Sequence, residues 1–563
     1  MVLLCDQVSR RLSRRLGSSP RPSWSPGPDA KGSPEARKVN LFSCPGRRAF
    51  PAPVKHSVIS EVIREEALKL VRRHQKYASD LAANLRRREK RSGLPQEKHL
   101  HMPGYWSADA GFNPYHVRSN SRGIGYAFEK ALAAGQYRPR SAIVYSVAKK
   151  DGSLRDVAVF QVADNSVSKL TFQRLIEKNA RHLSSRAYAY RYDLTIHDAV
   201  LHISSDLTSR SRIFVAEFDF SKFFESISHE HIRRVLQDQR FFITDREHKI
   251  IDSFLKAPSV PLAEYTPEWK TERNKGIPQG TSVSLFLANV AAYPLDRKLE
   301  ALGVGFARYA DDTLIWGDSY DMVCRSVNAL EETAAEMGVD LNFKKSQGIS
   351  ILCPDDLPAE FKAKSSVSFI GYQIGANRIS FRPENLKGTQ DWLSYLIYSN
   401  LLQEPKKGRV APDRVTRDMD WDYVVMLAQV RRYLYGELSE SQLRRYIARQ
   451  TPLMRYHGLM SFYPVVNDEP KLKAIDGWLL NSVHRAIRLR GTLLRRGGVA
   501  HLPIPHGLSK SELVKLRHIT REGKRIDLRF PSIARVARLI RRASKTYGAS
   551  AVANPESTVY YSG

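Results

Sequence analysis

The sequence predicts an α+β fold, a split βαβ sheet with helices on one face, followed by a long helical and basic region. Three observations predict it. The segment Arg212 to Phe220 is a run of strand-forming residues that ends in an acid, Asp219. Phe306 to Trp316 reads as a β-hairpin: apolar and aromatic residues enter up to Tyr309, the turn carries Asp311 and Asp312, and Thr313 to Trp316 leaves as the second strand. Between and after these strands the apolar residues return to helical spacing.

A chain of 563 residues that is 42% hydrophobic is long enough for several domains and can build real cores. Its 89 Lys and Arg stand against 58 Asp and Glu, a net charge of +31 that solubility does not require. A polyanionic partner follows. Nucleic acid fits better than a membrane surface, because the basic residues are spread along the chain and interleaved with Tyr, Phe and Trp. Cys5, Cys44, Cys324 and Cys353 show no Cys-x-x-Cys spacing and no His partners. Neither a disulfide scaffold nor a zinc site is implied, and a reducing cytosol is the natural compartment. No apolar run approaches the length of a membrane span, so a cytoplasmic protein with no membrane partner is expected.

Taken in order, residues 1–55 are rich in Arg, Ser, Pro and Gly, lack an apolar period, and read as a disordered basic tail. Within a helical extension over 56–125, Ile59, Ile63, Ala67 and Leu70, then Tyr77, Leu81 and Leu85, predict a long amphipathic helix with a basic end at Arg86-Arg87-Arg88. Next comes a hairpin with Ala142 to Val147 as one strand, Lys149-Lys150-Asp151-Gly152 as the turn and Arg155 to Phe160 as the return. Helical spacing resumes over Ser166 to Ser184. Ser228 offers an N-cap for a helix to about Gln237; helix 281–301 follows the turn Gly276-Ile277-Pro278-Gln279-Gly280; and Tyr320 to Met337 should stop at Gly338. Beyond Ser380, Val424, Leu427, Val430 and Leu434 share one helix face, and Leu472, Ile475, Leu479, Val483 and Ile487 share another. In the last helix Ile533, Val536 and Leu539 lie opposite Arg535, Arg538, Arg541 and Arg542.

Adjacent carboxylates repel unless a cation neutralises them, and two Mg²⁺ ions held by oxygen ligands are the usual solution. Alone, Asp311-Asp312 reads as readily as a polar turn. Asp219 shifts the balance. In a split βαβ sheet its strand end neighbours the hairpin turn, and three carboxylates at one sheet edge can hold two Mg²⁺ ions about 4 Å apart. The competing reading is Asp219 salt-bridged to a core Arg.

Over roughly Tyr126 to Tyr372, in motif order, the chain resembles a reverse transcriptase. Lys149 and Arg155 resemble the hairpin cations that grip the incoming triphosphate. Phe218-Asp219-Phe220-Ser221-Lys222-Phe223-Phe224 resembles the first metal-binding motif, with Asp219 and Phe220 at the metal, Phe223 and Phe224 at the nucleotide, and Phe224 at the steric gate against a ribose 2′-hydroxyl. Gln279 falls where the family packs a Gln against the nucleotide. Tyr309-Ala310-Asp311-Asp312 is similar to the family's catalytic box. Lys344, within Leu341-Asn342-Phe343-Lys344, matches the nucleotide-binding Lys motif, and Gly371 and Tyr372 match the primer grip.

The resemblance implies a right-hand polymerase with fingers over 126–212, a palm over 213–380 with finger insertions, a helical thumb over 381–495 and a basic extension over 496–563. It also implies Mg²⁺ (two ions, with Mn²⁺ as the alternative), dNTPs, an RNA template and a DNA product. Thr281 and Leu285 depart from the small residues and Ser-Pro pair shared by group II intron enzymes and retrons. What remains, through Arg455-Tyr456-His457-Gly458 and Asp476-Gly477-Trp478, resembles the unknown-group bacterial reverse transcriptases, many of them antiphage defence proteins; a dedicated structured noncoding RNA would then be the template. Two alternatives stay open: a maturase-like RNA-binding protein, motivated by the basic helices after Ser380, and template-independent or protein-primed synthesis from Tyr560 or Tyr561. The sequence leaves the oligomeric state open.

Overall fold

The computed structural model describes residues 58–552, apart from 149–153, 209, 211, 343–345, 347, 354–361, 437–439, 449, 451–457 and 522. The basic tail, Lys149, Lys150, Lys344, Arg455 to His457, Tyr560 and Tyr561 therefore lie outside the described residues.

Helix Val58–Ser92 buries Ile63, Ala67, Val71 and His74 along one stripe against helices Pro114–Ala133 and Val162–Asn179. Its second half differs from the expected apolar face. Tyr77, Leu81 and Leu85 are only half-buried, because the helix runs out over the surface before Arg91 re-enters the protein to donate to Asn400 at 2.7 Å. Strands Ala142–Ala148 and Leu154–Val159 form the first hairpin, joined by Ser259–Val260 as a parallel third strand.

The central sheet has five strands, in the order Ala363–Lys364, Ile349–Leu352, Ile213–Phe218, Asp312–Gly317, Gly305–Tyr309. The first pair is parallel and the others are antiparallel. After helix Tyr320–Met337, which ends at the left-handed Gly338, the chain returns as Asp340–Leu341 and pairs with Phe220–Ser221. Strand alternation sends Val215, Leu314 and Trp316 to one face and Ala216, Phe218 and Ile315 to the other. Both faces are buried, a correction to the expectation of helices on one face only. Helices His229–Asp238, Ser282–Leu302 and Tyr320–Met337 share the core on one side. On the other lie helix Ile196–Leu207, the small sheet of Val367–Phe369, Tyr372–Ile374 and Ile379–Phe381, and the helices that follow. Near-continuous apolar runs such as Ile213 to Phe218 are what a sheet covered on both faces requires.

Helices Pro383–Leu401, Trp421–Tyr435, Glu469–Arg496 and Ile533–Tyr547 form the C-terminal region. Leu427, Val430 and Leu434 of the second, and all five positions from Leu472 to Ile487 of the third, are buried as their spacing predicts. Within this core Arg490 donates to Asp420 at 2.6 and 3.0 Å and to Asp422 at 2.9 Å. Among the described residues no helix is long and apolar enough to cross a membrane.

Candidate active site

Sheet register brings two of the three acids to one end of the ladder. Phe218 and Thr313 are its last pair, so Asp219 follows directly on one strand and Asp312 directly precedes Thr313 on the other. The hairpin closes with Tyr309 paired to Asp312, which leaves Ala310 and Asp311 as a two-residue turn. Ala310 has φ of +59°, a left-handed conformation that a side chain disfavours and that the surroundings must enforce.

Enforcement comes from beneath. Arg308 donates to the Ala310 carbonyl at 3.2 Å and to both oxygens of Asp296 at 2.6 Å, and Asn289 lies 3.4 Å from the same guanidinium. The core Arg of this region is thus paired with Asp296. Backbone bonds from Arg308 N to Arg186 O and from Tyr188 N to Arg308 O lay the segment 186–190 along the hairpin edge. Tyr190 thereby comes 6.2 Å from the Tyr309 ring. Burial, and then the carboxylate of Asp311, push its phenol well above the ordinary range, while Arg155 pulls the other way. Tyr190, Asp311 and Arg155 therefore share one electrostatic neighbourhood.

Asp219 is 9% exposed. Asn342 holds it twice, with its backbone N donating to the Asp219 carbonyl at 2.8 Å and its Nδ2 to the carboxylate at 3.1 Å. Among the described residues no group of three His, Cys, Asp or Glu side chains is arranged to hold a metal ion. The donor set nonetheless suits a hard cation in its chemistry, since Asp219, Asp311 and Asp312 offer only carboxylate oxygens at one sheet edge.

Two positions of the loop Gly276–Gly280 accept only glycine. A Cβ on Gly276 would lie 2.5 Å from the Glu225 carbonyl oxygen, and one on Gly280 would overlap the carbonyl of Ala158. Between them Ile277 N donates to Phe224 O at 2.7 Å, and Gln279 O accepts from Ala158 N at 2.7 Å. The turn that follows Asp219 and the strand that carries Arg155 are thus tied to one loop. The Gln279 side-chain oxygen is buried with no hydrogen-bond partner among the described residues, and a buried amide oxygen in that state is a place for an incoming donor.

Arg155 is exposed on the return strand, paired across from Val147. Phe220 stacks on Phe223 at 5.4 Å. Phe223, 2% exposed, belongs to the core rather than to a nucleotide surface, and Phe224 at 8% stands edge-on to it. Tyr372 also departs from its expected role as a primer or template contact. It is 1% exposed, and its hydroxyl donates to Phe462 O at 2.8 Å and meets His197 Nδ1 at 3.2 Å, so it is a buried support. Gly371, with φ of +82°, faces the Asn385 amide and the Tyr463 hydroxyl rather than open space.

Asn342, Tyr190 and the Arg308–Asp296 pair were not singled out from sequence. Only half of the signal for the last was there: Arg308 is the single charge of strand Gly305–Tyr309, whereas Asp296 is one of four charged residues, with Arg297, Lys298 and Glu300, in helix Ser282–Leu302.

The profile described as Reverse transcriptase (RNA-dependent DNA polymerase) matches residues 147–374. That span is a reverse transcriptase domain. It contains Arg155, Tyr190, all three acids and the Gly276–Gly280 loop. The domain is similar to the Retrovirus-related Pol polyprotein from type-1 retrotransposable element R2 of Popillia japonica, 26% identical over 235 residues, covering 38% of this chain and 32% of that protein. The chain therefore spans about a third of the length of this curated relative. Among solved structures, apo telomerase from Candida tropicalis, truncated from its C-terminal domain, overlaps with a TM-score of 0.34 at 12% identity, covering 47% of this chain and 60% of that one. Telomerase from Candida albicans with a TWJ fragment of telomeric RNA overlaps with a TM-score of 0.33 at 10% identity, covering 67% and 66%. Overlaps this loose carry no functional argument. The fold around this domain is α+β, of the right-hand polymerase class, with the hairpin sheet before the five-stranded sheet in the chain and the C-terminal helices after it.

Proposed function

We propose that this protein is an RNA-directed DNA polymerase that extends a primer with dNTPs. The observation that carries the reading is the register that ends at Phe218 and Thr313, which brings Asp219 and Asp312 to the same sheet edge, beside the strained turn that bears Asp311. In this reading the three aspartates hold two Mg²⁺ ions, or Mn²⁺ in their place. Bound there, the ions would lower the pKa of the primer 3′-hydroxyl and stabilise charge on the leaving pyrophosphate. The protein's own groups supply the rest. Arg155 offers a guanidinium fork to the triphosphate, joined by Lys149 and Lys344, Gln279 offers its buried amide oxygen, and Phe224 walls the sugar pocket against a 2′-hydroxyl. Asn342 and Arg308 hold the metal-bearing backbone in place.

The same reading divides the chain into an N-terminal helical extension (56–125), fingers (126–212), palm (213–380), thumb (381–495) and a basic C-terminal extension (496–563), acting in the cytoplasm. Its finer part is a dedicated structured noncoding RNA as template and a role in antiphage defence. The net charge of +31 supports the RNA partner.

Purified protein with a DNA primer annealed to an RNA template, Mg²⁺ and labelled dNTPs tests the reaction. Template-directed extension is expected, and ribonucleotides should be poor substrates. Incorporation that ignores the template sequence would replace this reading with template-independent synthesis. For the finer part, loss of phage protection in cells carrying an Asp311→Asn variant is expected, and undiminished protection would remove polymerisation from the biological role.

A further inference from the structure

Tyr190, like Ala310, is held in the left-handed region, with φ of +61° against +59°. A bulky side chain disfavours that conformation, so the surroundings must impose it. One set of side chains imposes both. The buried Asn289 amide donates through Nδ2 to the Ala189 carbonyl at 2.8 Å and accepts from Arg308, whose guanidinium also holds the Ala310 carbonyl. On the far side Arg191 donates to the carbonyls of Ala180 at 2.8 Å and Ser184 at 2.6 Å and to the Asp193 carboxylate at 2.6 Å. The chain is thus fixed on each side of Tyr190. Its ring is delivered against Tyr309, whose strand partner is Asp312.

The polar groups beside Tyr190 are engaged within the fold. Tyr188 shares its hydroxyl with His202 Nδ1 at 2.9 Å, and the Arg191 guanidinium is taken up by carbonyls and Asp193. Tyr190 differs: it is half-buried, and among the described residues no hydrogen bond uses its hydroxyl. Gly or Asn would accept this backbone more easily. A tyrosine kept there with an unused hydroxyl is explained by a ligand that the hydroxyl meets. Burial and then Asp311 keep the phenol protonated, while Arg155 acts the other way, so an acid of the metal edge and a cation of the first hairpin both reach it. A neutral O–H in that company suits an anionic oxygen, which the carboxylate alone would repel and which the guanidinium also attracts.

We propose that the Tyr190 hydroxyl donates a hydrogen bond to a phosphate oxygen of the incoming deoxynucleoside triphosphate. The contact rests on the reading of this edge as a polymerase site, and it adds a residue from outside the strands that carry the acids. A bond of this kind is present before and during transfer, so it lowers KM for the nucleotide and leaves kcat almost unchanged.

The test uses the full chain with a DNA primer on an RNA template, dATP and Mg²⁺, and two variants. Tyr190→Phe removes only the hydroxyl; Tyr190→Gly removes the ring and accepts the left-handed backbone. In Tyr190→Phe the KM for dATP is expected to rise about ten-fold, as loss of a hydrogen bond to a charged oxygen implies, while kcat, primer–template affinity and melting temperature hold. Calorimetric binding of dATP with Mg²⁺, on a primer ended by a dideoxynucleotide, should weaken by the same factor. An unchanged KM in folded Tyr190→Phe would overturn the proposal; if Tyr190→Gly alone were impaired, the ring would serve only to pack against Tyr309. A loss confined to primer–template affinity would also overturn it, by assigning the hydroxyl to a strand. If the wild type bound dATP more tightly than Tyr190→Phe but extended no primer, the polymerase reading would fail and this contact would stand. If the wild type neither bound dATP nor extended, both would fall.

Discussion

Arg308 donates through Nε and Nη2 to both carboxylate oxygens of Asp296 at 2.6 Å, and neither side chain is exposed. The pair ties the hairpin that carries Asp311 and Asp312 to the long helix behind it, and its third bond fixes the carbonyl of the strained Ala310. Burial raises the Asp296 carboxyl, and the Arg308 charge offsets part of that rise. Arg308→Met should cost about 3–5 kcal/mol in denaturant unfolding, because it leaves a buried acid without its partner. Adding Asp296→Leu should recover most of that loss. A single variant as stable as the wild type would show that the pair does not brace the turn.

Asn342 acts on Asp219 from the neighbouring strand end. Asn342→Ala should lower kcat for primer extension about 10- to 100-fold, the usual effect of losing a group that orients a metal ligand. Melting temperature should move little. Equal kcat in the variant would mean that Asp219 finds its position without this bond.

Phe224 is nearly buried, one turn past Asp219. Phe224→Val, which keeps part of the packing, should raise the relative use of ribonucleotides by about 10- to 100-fold, within the range that pocket volume alone can discriminate. Discrimination that does not change would assign sugar selection to another side chain.

Asp164 gives the fold a pH dependence unconnected with catalysis. Burial pushes its carboxyl up to about 7, although Tyr137 donates to it at 2.8 Å and Arg140 N at 3.1 Å. The folded state therefore holds this proton more tightly than the unfolded chain. Below about pH 4 the group costs nothing; stability is lost as pH rises towards 7, and above that the penalty is a constant few kcal/mol, about 4 at most. Asp164→Asn should flatten the decline between pH 4 and 7 in urea unfolding. A variant with the wild-type slope would place the dependence elsewhere.

Much of the fold was legible because its signals are local. The helix Tyr320–Met337 and its stop at Gly338 follow from apolar spacing and a left-handed cap, and the Asp-Asp hairpin follows from strand formers on either side of a turn. The same is true of the buried faces from Leu427 to Leu434 and from Leu472 to Ile487. What escaped depends on partners distant in sequence. The second buried face of the palm sheet is made by helix Ile196–Leu207 and by strand Val367–Phe369, which lies far along the chain from Ile213–Phe218. Tyr372 looked available to a nucleic-acid strand because its motif matches the primer grip, yet His197 and Phe462 enclose it. Arg308, Asp296 and Asn342 each satisfy a buried group on another element, and that role appears only when the elements are assembled. Within the site, sequence order found the acids, and sheet register is what brings Asp219 and Asp312 to one end of the ladder.

The central claim is that the acids at this sheet edge carry polymerisation. The most direct measurement is primer extension on an RNA template by the Asp311→Asn, Asp312→Asn double variant beside the wild type, with melting temperature and RNA affinity followed on the same samples. Incorporation should fall by several orders of magnitude while folding and RNA binding persist, since the charge is removed and the shape is kept. Extension at the wild-type rate by the folded double variant would contradict the account.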